Sequence, residues 1–464
     1  MRRVLIVTYP FFPFYHVGVK RVAKLCKYLP RFGWEPIVLT KDWDRDLAPE
    51  DAFFPSFREP ERQRDIGFDL EVRRAAYASR DNRALRWHRR LQAVPARSPL
   101  ALRVAAAAAR KALSLAYPLF GDFPDRYAGW LPAAAAEGAA AVRDRDVAAI
   151  VSICPPVSAH VAASRIASAT GIPWVAMFDD LFGFHVGPRG PHGSTFRRRQ
   201  ALAHHRRWLR RAAGVTAITP AMLSYLKDVY DQDGELVAVG FDPDEGTRAV
   251  GLAGAQVPAR PRMRIVYTGS VYLADYRPQL FFEAVDRLCL QAPRWADRLE
   301  VCFAGTRCDA ELRDMVKGRP AERVYRFVER LSAADAIELQ RSADALLLFN
   351  VTNAAAASGT LSFPAKTWEY LDAGRPIVAV PSDVGRFGDE VLARTRAGIA
   401  LSSVEEIVEL LDRWLNEWAR TGTVPYGGDR NVIAEYGQPR QVGTLARLLD
   451  RVTSDRRTAG GRIA

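Results

Sequence analysis

Arg264-Ile265-Val266-Tyr267-Thr268-Gly269-Ser270-Val271-Tyr272 is a short run rich in β-branched residues that stops at a Gly-Ser pair, with Arg277 opening a helical pattern beyond it. A buried strand that ends on glycine just before a helix is the first half of a β-α-β unit. It follows directly on Asp242-Pro243-Asp244-Glu245-Gly246, a Gly/Ala patch, Pro258 and Pro261, so 242–262 reads as a linker. Beyond the linker the alternation runs on through strands at Leu299–Ala304, Val324–Phe327, Ala345–Phe349, Pro376–Val380 and Gly398–Leu401, with helices between them. Before it the same alternation is present: Val4–Thr8, Glu35–Thr40, Val147–Ile153, Pro173–Phe178 and Val215–Thr219 as strands, with helices near 18–29, 158–170, 196–212 and 220–230. The expected fold class is therefore α/β, with two doubly wound Rossmann-like domains facing across a cleft. The boundaries are 1–241 (with an insertion at 44–126), the linker 242–262, a second domain at 263–430, and a final segment 431–464. The last helix, near Gln438–Val452, is expected to pack back on the first domain.

Composition narrows the class further. The chain has 464 residues, 48% apolar and 26% charged, enough for two or three full cores and unlike a disordered chain. Met-Arg-Arg and Val4-Leu5-Ile6-Val7 resemble a signal start, but the apolar run breaks at Thr8-Tyr9-Pro10 and reads as a first strand. No run of about 18 apolar residues occurs that would span a bilayer. The five cysteines form no C-x-x-C pair, so a reducing cytosol is the simplest compartment. The formal charge is +13, yet only eight of the 66 basic residues are lysine, which resembles the coding bias of a GC-rich genome. No nucleic-acid module or aromatic-interleaved basic stripe is present, so no nucleic-acid partner is expected. The arginine surplus concentrates in 58–111 and in Arg197–Arg211, where seven of fifteen residues are arginine and Trp208-Leu209 lie among them. Two readings stand for such a run: a solvated helix face, or a contact with an anionic membrane surface.

Five stretches carry chemistry. In the loop 9–18, Gly18 stands where a helix begins and backbone could approach an anion, with His16 beside it; G-x-G-x-x-G is absent. Ser152-Ile153-Cys154-Pro155-Pro156-Val157-Ser158-Ala159-His160 ends a strand and enters a helix, with Ser158 as an N-cap candidate. His160 either faces a cleft or is a satisfied core histidine. Asp179-Asp180, at the end of the next strand, would hold hydroxyls, assist proton transfer or cap a helix. Around Gly269-Ser270, a helix start and Arg277 together make a diphosphate cradle. Finally, Pro364-Ala365-Lys366-Thr367-Trp368-Glu369-Tyr370-Leu371-Asp372-Ala373-Gly374-Arg375-Pro376 sets Lys366 and Glu369 on one helix face. A cation for phosphate and an acid for a ribose diol could then meet one ligand; an intrahelical ion pair is the plainer alternative.

On these motifs, above all 363–376, the whole chain resembles a family-4 glycosyltransferase of the GT-B fold. The pattern 152–160 followed by 173–180 is similar to a bacterial subgroup that builds cell-surface polysaccharides. The resemblance implies a retaining, metal-independent transfer of a sugar from a nucleotide donor such as a UDP- or GDP-sugar to a glycan or lipid-linked acceptor. No cofactor is implied, and the enzyme would be cytoplasmic and peripheral on the membrane. Carried across residue by residue, it gives Gly18, Gly269, Ser270, Arg277, Gly305, Thr306, Lys366 and Glu369 to donor binding, with Arg330 near them. All seven histidines lie at or before His205, so His16, with Asp179 and Asp180, is expected on the acceptor side, and His160, Asp180 and Glu369 are the candidates for catalysis; of the two acids only Asp180 keeps the family's register. The chain departs from the family where the first glutamate of its Glu-x7-Glu pair is Leu361, and where Asp-Phe-Arg-Asp becomes Met177-Phe178-Asp179-Asp180. A catalytically degenerate binding scaffold and a nucleotide-sugar epimerase are the rival readings. No metal is expected: Asp144-x-Asp146 and Asp242-x-Asp244 lie outside any plausible metal loop, and fixed cations can stabilise a leaving diphosphate instead.

Overall fold

A computed structural model describes residues 1–13, 17–43, 68–77, 99–102, 104–109, 124–125, 127–181, 183–184, 195–248, 261–351, 364–382 and 387–460. His16, Leu361 and Arg89-Arg90 lie outside these residues. The chain divides into two compact units, one of Met1–Ile218, Leu223–Leu236 and Gly443–Ala464, the other of Thr219–Met222 and Val237–Val442.

The first unit is built on β1 (Arg2–Val7), β2 (Trp34–Lys41), β3 (Glu71–Ala75), β4 (Val147–Cys154), β5 (Trp174–Phe178), β6 (Gly214–Ala217) and β7 (Glu235–Leu236). They form one parallel sheet in the order β3-β2-β1-β4-β5-β6-β7. The chain order therefore reverses between β1 and β4, the switch point beyond which doubly wound sheets bind ligands. Val4 to Val7 and Val175 to Phe178 are fully buried, which is why these strands read as unbroken apolar runs. Two strands were not expected. β3 lies inside the 44–126 insertion, and its Glu71-Val72-Arg73-Arg74 has the polar content of a sheet edge, where Arg73 pairs with Glu71 (2.7 Å). β7 has two residues, too few for any periodic signal.

The second unit holds β8 (Met263–Thr268), β9 (Leu299–Ala304), β10 (Tyr325–Val328), β11 (Ala345–Phe349), β12 (Ile377–Val380) and β13 (Gly398–Ala400). Their order is β10-β9-β8-β11-β12-β13, again parallel, with its switch point between β8 and β11. Alternation divides the core into two layers. Ile265, Tyr267, Val301, Phe303, Leu347 and Phe349 face one layer, packed with helices Gln279–Gln291 and Val404–Thr421. Val266, Cys302, Leu346, Leu348 and Ala379 face the other, with helices Lys366–Ala373 and Phe387–Thr395. Each strand thus feeds apolar side chains to both faces, as a sheet covered on both sides requires.

Three boundaries move. Part of the expected linker is ordered: Pro243–Arg248 is helical, entered by an Asp242 side chain that accepts from the Asp244 amide (3.0 Å). Residues 431–442 belong with the second unit because Ile433 and Tyr436 are buried in the layer around Trp368. From Gly443 onward the final helix, Gln438–Gly460, belongs to the first unit. There Asp450 accepts from the Trp34 indole (3.1 Å) and pairs with Arg2, and Leu448 packs at Gly214. All five cysteines are free thiols, and among the described residues no helix is long and apolar enough to cross a membrane.

Candidate functional site

In the second unit, the loops that leave β8, β9 and β10 are tied in series. Gly269 donates to the Ala304 carbonyl (2.8 Å), Val271 to Thr306 (2.9 Å), and Gly305 to Val328 (3.0 Å). The two glycines turn with positive φ, +85° at Gly269 and +69° at Gly305, which L side chains adopt at a cost. Gly269 also keeps its surface open: a Cβ there would stand 3.8 Å from Lys366 Nζ. This places an exposed stretch of backbone beside a lysine, at the carboxyl end of the strand next to the switch point.

Lys366 opens the helix Lys366–Ala373, behind Pro364 and Ala365. Its ammonium donates to the Tyr267 hydroxyl and to the Ser270 carbonyl (3.4 Å), and lies 3.8 Å from the centre of the Tyr267 ring. Burial pulls its pKa down to about 7, and Glu369 only partly restores it. Tyr267 in turn donates to the Ser270 carbonyl (2.8 Å), which fixes the turn the lysine leans on. Glu369, one helical turn on, accepts from Gln340 Nε2 (3.4 Å); the same amide donates to Thr268 Oγ1 (2.8 Å). Tyr370 completes the frame by accepting from the Thr268 amide (2.9 Å). Lys366 and Glu369 are therefore not closed into a pair with each other. Each is held by a separate buried partner: Lys366 borders the Gly269-Ser270 turn, and Glu369 is linked through Gln340 to Thr268, the residue before it. Gln340 lies in no motif; Tyr267 and Tyr370 stand inside the quoted stretches 264–272 and 364–376, which assign them no role.

Three further members of the expected donor set stand near this turn and the Gly305 loop. Arg277 is exposed ahead of helix Gln279–Gln291 and makes no ion pair among the described residues. Thr306 is fully buried and spends its hydroxyl on Asp309 at the start of helix Asp309–Val316, so only its backbone serves the loop. Arg330 is exposed, and its Cα would sit 3.6 Å from a Cβ at Gly305.

The first unit corrects one assignment outright. His160 is fully buried, ringed by Phe178 (4.6 Å between centroids), Phe184 (5.7 Å) and Trp174 (5.9 Å). Ser152 Oγ accepts from Trp174 Nε1 (2.7 Å) and shares a hydrogen bond with His160 Nδ1 (2.6 Å). Burial lowers the His160 pKa to about 3. A neutral ring without access to solvent, packed among aromatic side chains, is a core histidine and not a catalytic base. Ser158 is likewise no N-cap: Pro156 holds that place, and Asp125 accepts from both the Ser158 amide (2.8 Å) and its hydroxyl (2.5 Å).

Beyond β5 the two acids part company. Asp179 Oδ1 lies 2.8 Å from Nε of the buried Arg21, on helix Val17–Tyr28. Burial still raises the Asp179 pKa to about 6 against the pull of Arg21, with Asp180 adding to the rise. Asp180 is exposed at the carboxyl edge of the sheet. Gly18 is the second residue of the Val17–Tyr28 helix and is partly exposed, beside the switch point between β1 and β4. The residues the structure draws together are thus Gly269, Ser270, Lys366 and Glu369 in the second unit, and Arg21 with Asp179 in the first.

Two parallel Rossmann-like sheets with these strand orders define the class: an α/β two-domain chain with the GT-B fold. No protein-family model and no curated protein sequence matches it. Among solved structures it is similar to a sucrose-phosphate synthase from Thermosynechococcus elongatus, with a TM-score of 0.58 and 12% identity over 98% of this chain and 100% of that one. It is also similar to a lipopolysaccharide outer core galactosyltransferase, WaaB (TM-score 0.53, 11% identity, 97% and 99% covered). The Anabaena protein HepE in complex with UDP-glucose is another such structure (TM-score 0.51, 13% identity, 98% and 100% covered).

Proposed function

We propose that the chain is a glycosyltransferase that takes a sugar from a nucleotide donor through its second unit. The observation that carries this reading is the placing of Lys366 and Glu369 on separate buried partners beside the open Gly269-Ser270 backbone. Lys366 would meet the diphosphate, the turn would offer the Ser270 amide, since those of Gly269 and Val271 already donate to Ala304 and Thr306, and Glu369 would accept from the ribose hydroxyls. Transfer expels a nucleoside diphosphate, and charge develops on its leaving oxygen. A lysine held beside that oxygen, protonated when the diphosphate binds, stabilises the charge that develops in the transition state more than the ground state. In a retaining, front-face route the leaving phosphate takes the acceptor's proton, and no separate base is needed. That suits a chain whose His160 is sealed in the core. We further propose that turnover needs no divalent metal, and that the acceptor is a glycan or lipid-linked sugar of cell-surface polysaccharide synthesis, met at the cytoplasmic membrane face. The solved structures with this fold that bind UDP-glucose or act as galactosyltransferases support the donor part of the reading.

The test is a panel of nucleotide sugars with and without membrane lipid extract, read as released nucleoside diphosphate. Acceptor-dependent release is expected, and it should survive chelator. Lys366→Ala should lower kcat/KM by about a hundredfold to a thousandfold, the range for removing one charge-stabilising donor, and Glu369→Ala by about tenfold to a hundredfold for a lost hydrogen bond to a charged group. Full activity in both variants would sink the donor site. Interconversion of sugars without acceptor would mark an epimerase, and no turnover at all a binding scaffold.

A further inference from the structure

Away from the strand ends, the first unit carries a groove of about 390 Å³ between helices Leu131–Arg145, Val157–Thr170 and Thr195–Leu209. Ser164 lies among its lining residues, beneath Arg165, Arg207 and Arg211, while Leu131 and Trp208 supply apolar wall. The three arginines are exposed, and among the described residues no acidic one lines the groove. Arg211 is held there by a hydrogen bond from Nη1 to Ser168 Oγ (2.9 Å).

The hydroxyl of Ser164 is the odd feature. It is 1% exposed, and among the described residues its Oγ has no hydrogen-bond partner. A serine inside a helix ordinarily returns its proton to the carbonyl one turn back. Two neighbours do so: Ser168 donates to the Ser164 carbonyl (2.7 Å) and Thr170 to that of Ile166 (2.8 Å). Ser164 does not, and a buried unmade hydrogen bond is costly to keep. Three guanidinium groups and one spare hydroxyl around a single hollow match a group with several charged oxygens arranged in three dimensions. A phosphoryl group offers that; a planar carboxylate satisfies fewer of the donors. The hollow exceeds a bare phosphate, and its Trp208 and Leu131 wall suits an apolar body attached to it. His204 also lines it, 5.9 Å from the Trp208 ring centre, and burial and the Arg207 charge keep it neutral and able to donate or accept.

We infer that this groove is a binding site for an organic phosphate monoester, separate from the residues assigned above to the nucleotide sugar. Phosphate on a small metabolite and phosphate in a lipid headgroup share this chemistry. The experiment therefore measures binding of phenyl phosphate by calorimetry, and of phosphatidylcholine vesicles with and without phosphatidic acid by cosedimentation, to the full chain. Arg207→Ala and Arg211→Ala should weaken binding by about tenfold each, and Ser164→Val by several-fold. Arg199→Ala removes the same charge from an exposed position on the same helix, outside the groove, and should leave binding unchanged. Unaltered UDP binding and thermal midpoints in each variant show that the fold is intact. Saturable phenyl phosphate binding with this variant pattern supports a diffusible ligand; the same pattern confined to phosphatidic acid vesicles supports a lipid headgroup. If neither probe binds, if benzoate binds as well as phenyl phosphate, or if Arg199→Ala weakens binding as much as Arg207→Ala, the inference is overturned.

Discussion

With its ammonium over the Tyr267 ring and its pKa near 7, Lys366 is only about half protonated at neutrality before any ligand arrives. A diphosphate placed beside it would pull that pKa back up, so binding takes up a proton above pH 7. Nucleoside diphosphate affinity should then fall as pH rises from about 7, by up to about tenfold per unit. Lys366→Arg, charged throughout, should flatten the profile; calorimetry across pH 6 to 9 reads both. His160 gives a second pH signature of known sign. Its folded pKa of about 3 lies below the ordinary value of 6.5, so the unfolded chain binds a proton that the fold refuses. Its contribution is whole above about 6.5 and is lost as pH falls, at about 1.4 kcal/mol per unit. Asp179, raised from 3.8 to about 6, works in the opposite direction: acidification through 6 relieves a buried charge and favours the fold. His160→Met should therefore reduce the acid-side loss of stability in urea titrations while leaving turnover within about twofold. Lys366 and Glu369 were legible because helix spacing puts them on one face. The fate of His160 was not, because whether a histidine near a helix start faces solvent or core depends on Phe178, Phe184 and Trp174, which arrive from elsewhere in the chain.

At the scale of elements, the turn after β8 shows how one glycine serves both geometry and chemistry. Gly269→Ala would force a side chain to φ +85° and bring its methyl to within contact of the Lys366 ammonium. A loss of about 1–2 kcal/mol of stability is expected from the left-handed backbone alone. Nucleotide affinity should drop beyond that, which thermal melts with and without UDP would separate. The eleven strands expected from apolar runs are all present in the two sheets, because a strand buried on both faces writes its state into every residue. β3 and β7 escaped for opposite reasons. Glu71-Val72-Arg73-Arg74 is polar because its edge is wet, and Glu235-Leu236 is too short to carry a pattern. Helix ends agreed to within a few residues, except that the Gln438–Gly460 helix runs a further two turns past Val452, where its sequence turns polar.

For the molecule as a whole, the division into units does not follow the order of the sequence. The chain leaves the first unit at Leu236 and rejoins it at Gly443. Leu445, Leu448, Leu449 and Val452 are buried there, and at about 1.5 kcal/mol or more per apolar side chain they contribute on the order of 6 kcal/mol. Deleting 443–464 should therefore unfold the first unit. Hydrogen exchange would show β1 and β6 amides losing protection while β8 and β11 keep theirs, and retained protection throughout would contradict this. The +13 charge also resolves into parts at this scale. Arg73, Arg2 and Arg451 are spent on acids of the first unit, whereas Arg165, Arg207 and Arg211 converge on one groove.

The return of the chain at Gly443 has a consequence for synthesis on the ribosome. The Trp34 indole and Gly214 gain their partners Asp450 and Leu448 only after the whole second unit has been made. That is roughly 200 residues, or about 10–40 s at the usual pace of elongation. Throughout that interval the first sheet waits with an apolar flank uncovered, while the second unit can close as soon as it emerges. The later half of the protein therefore matures first, and the nascent earlier half is the client that a chaperone would hold.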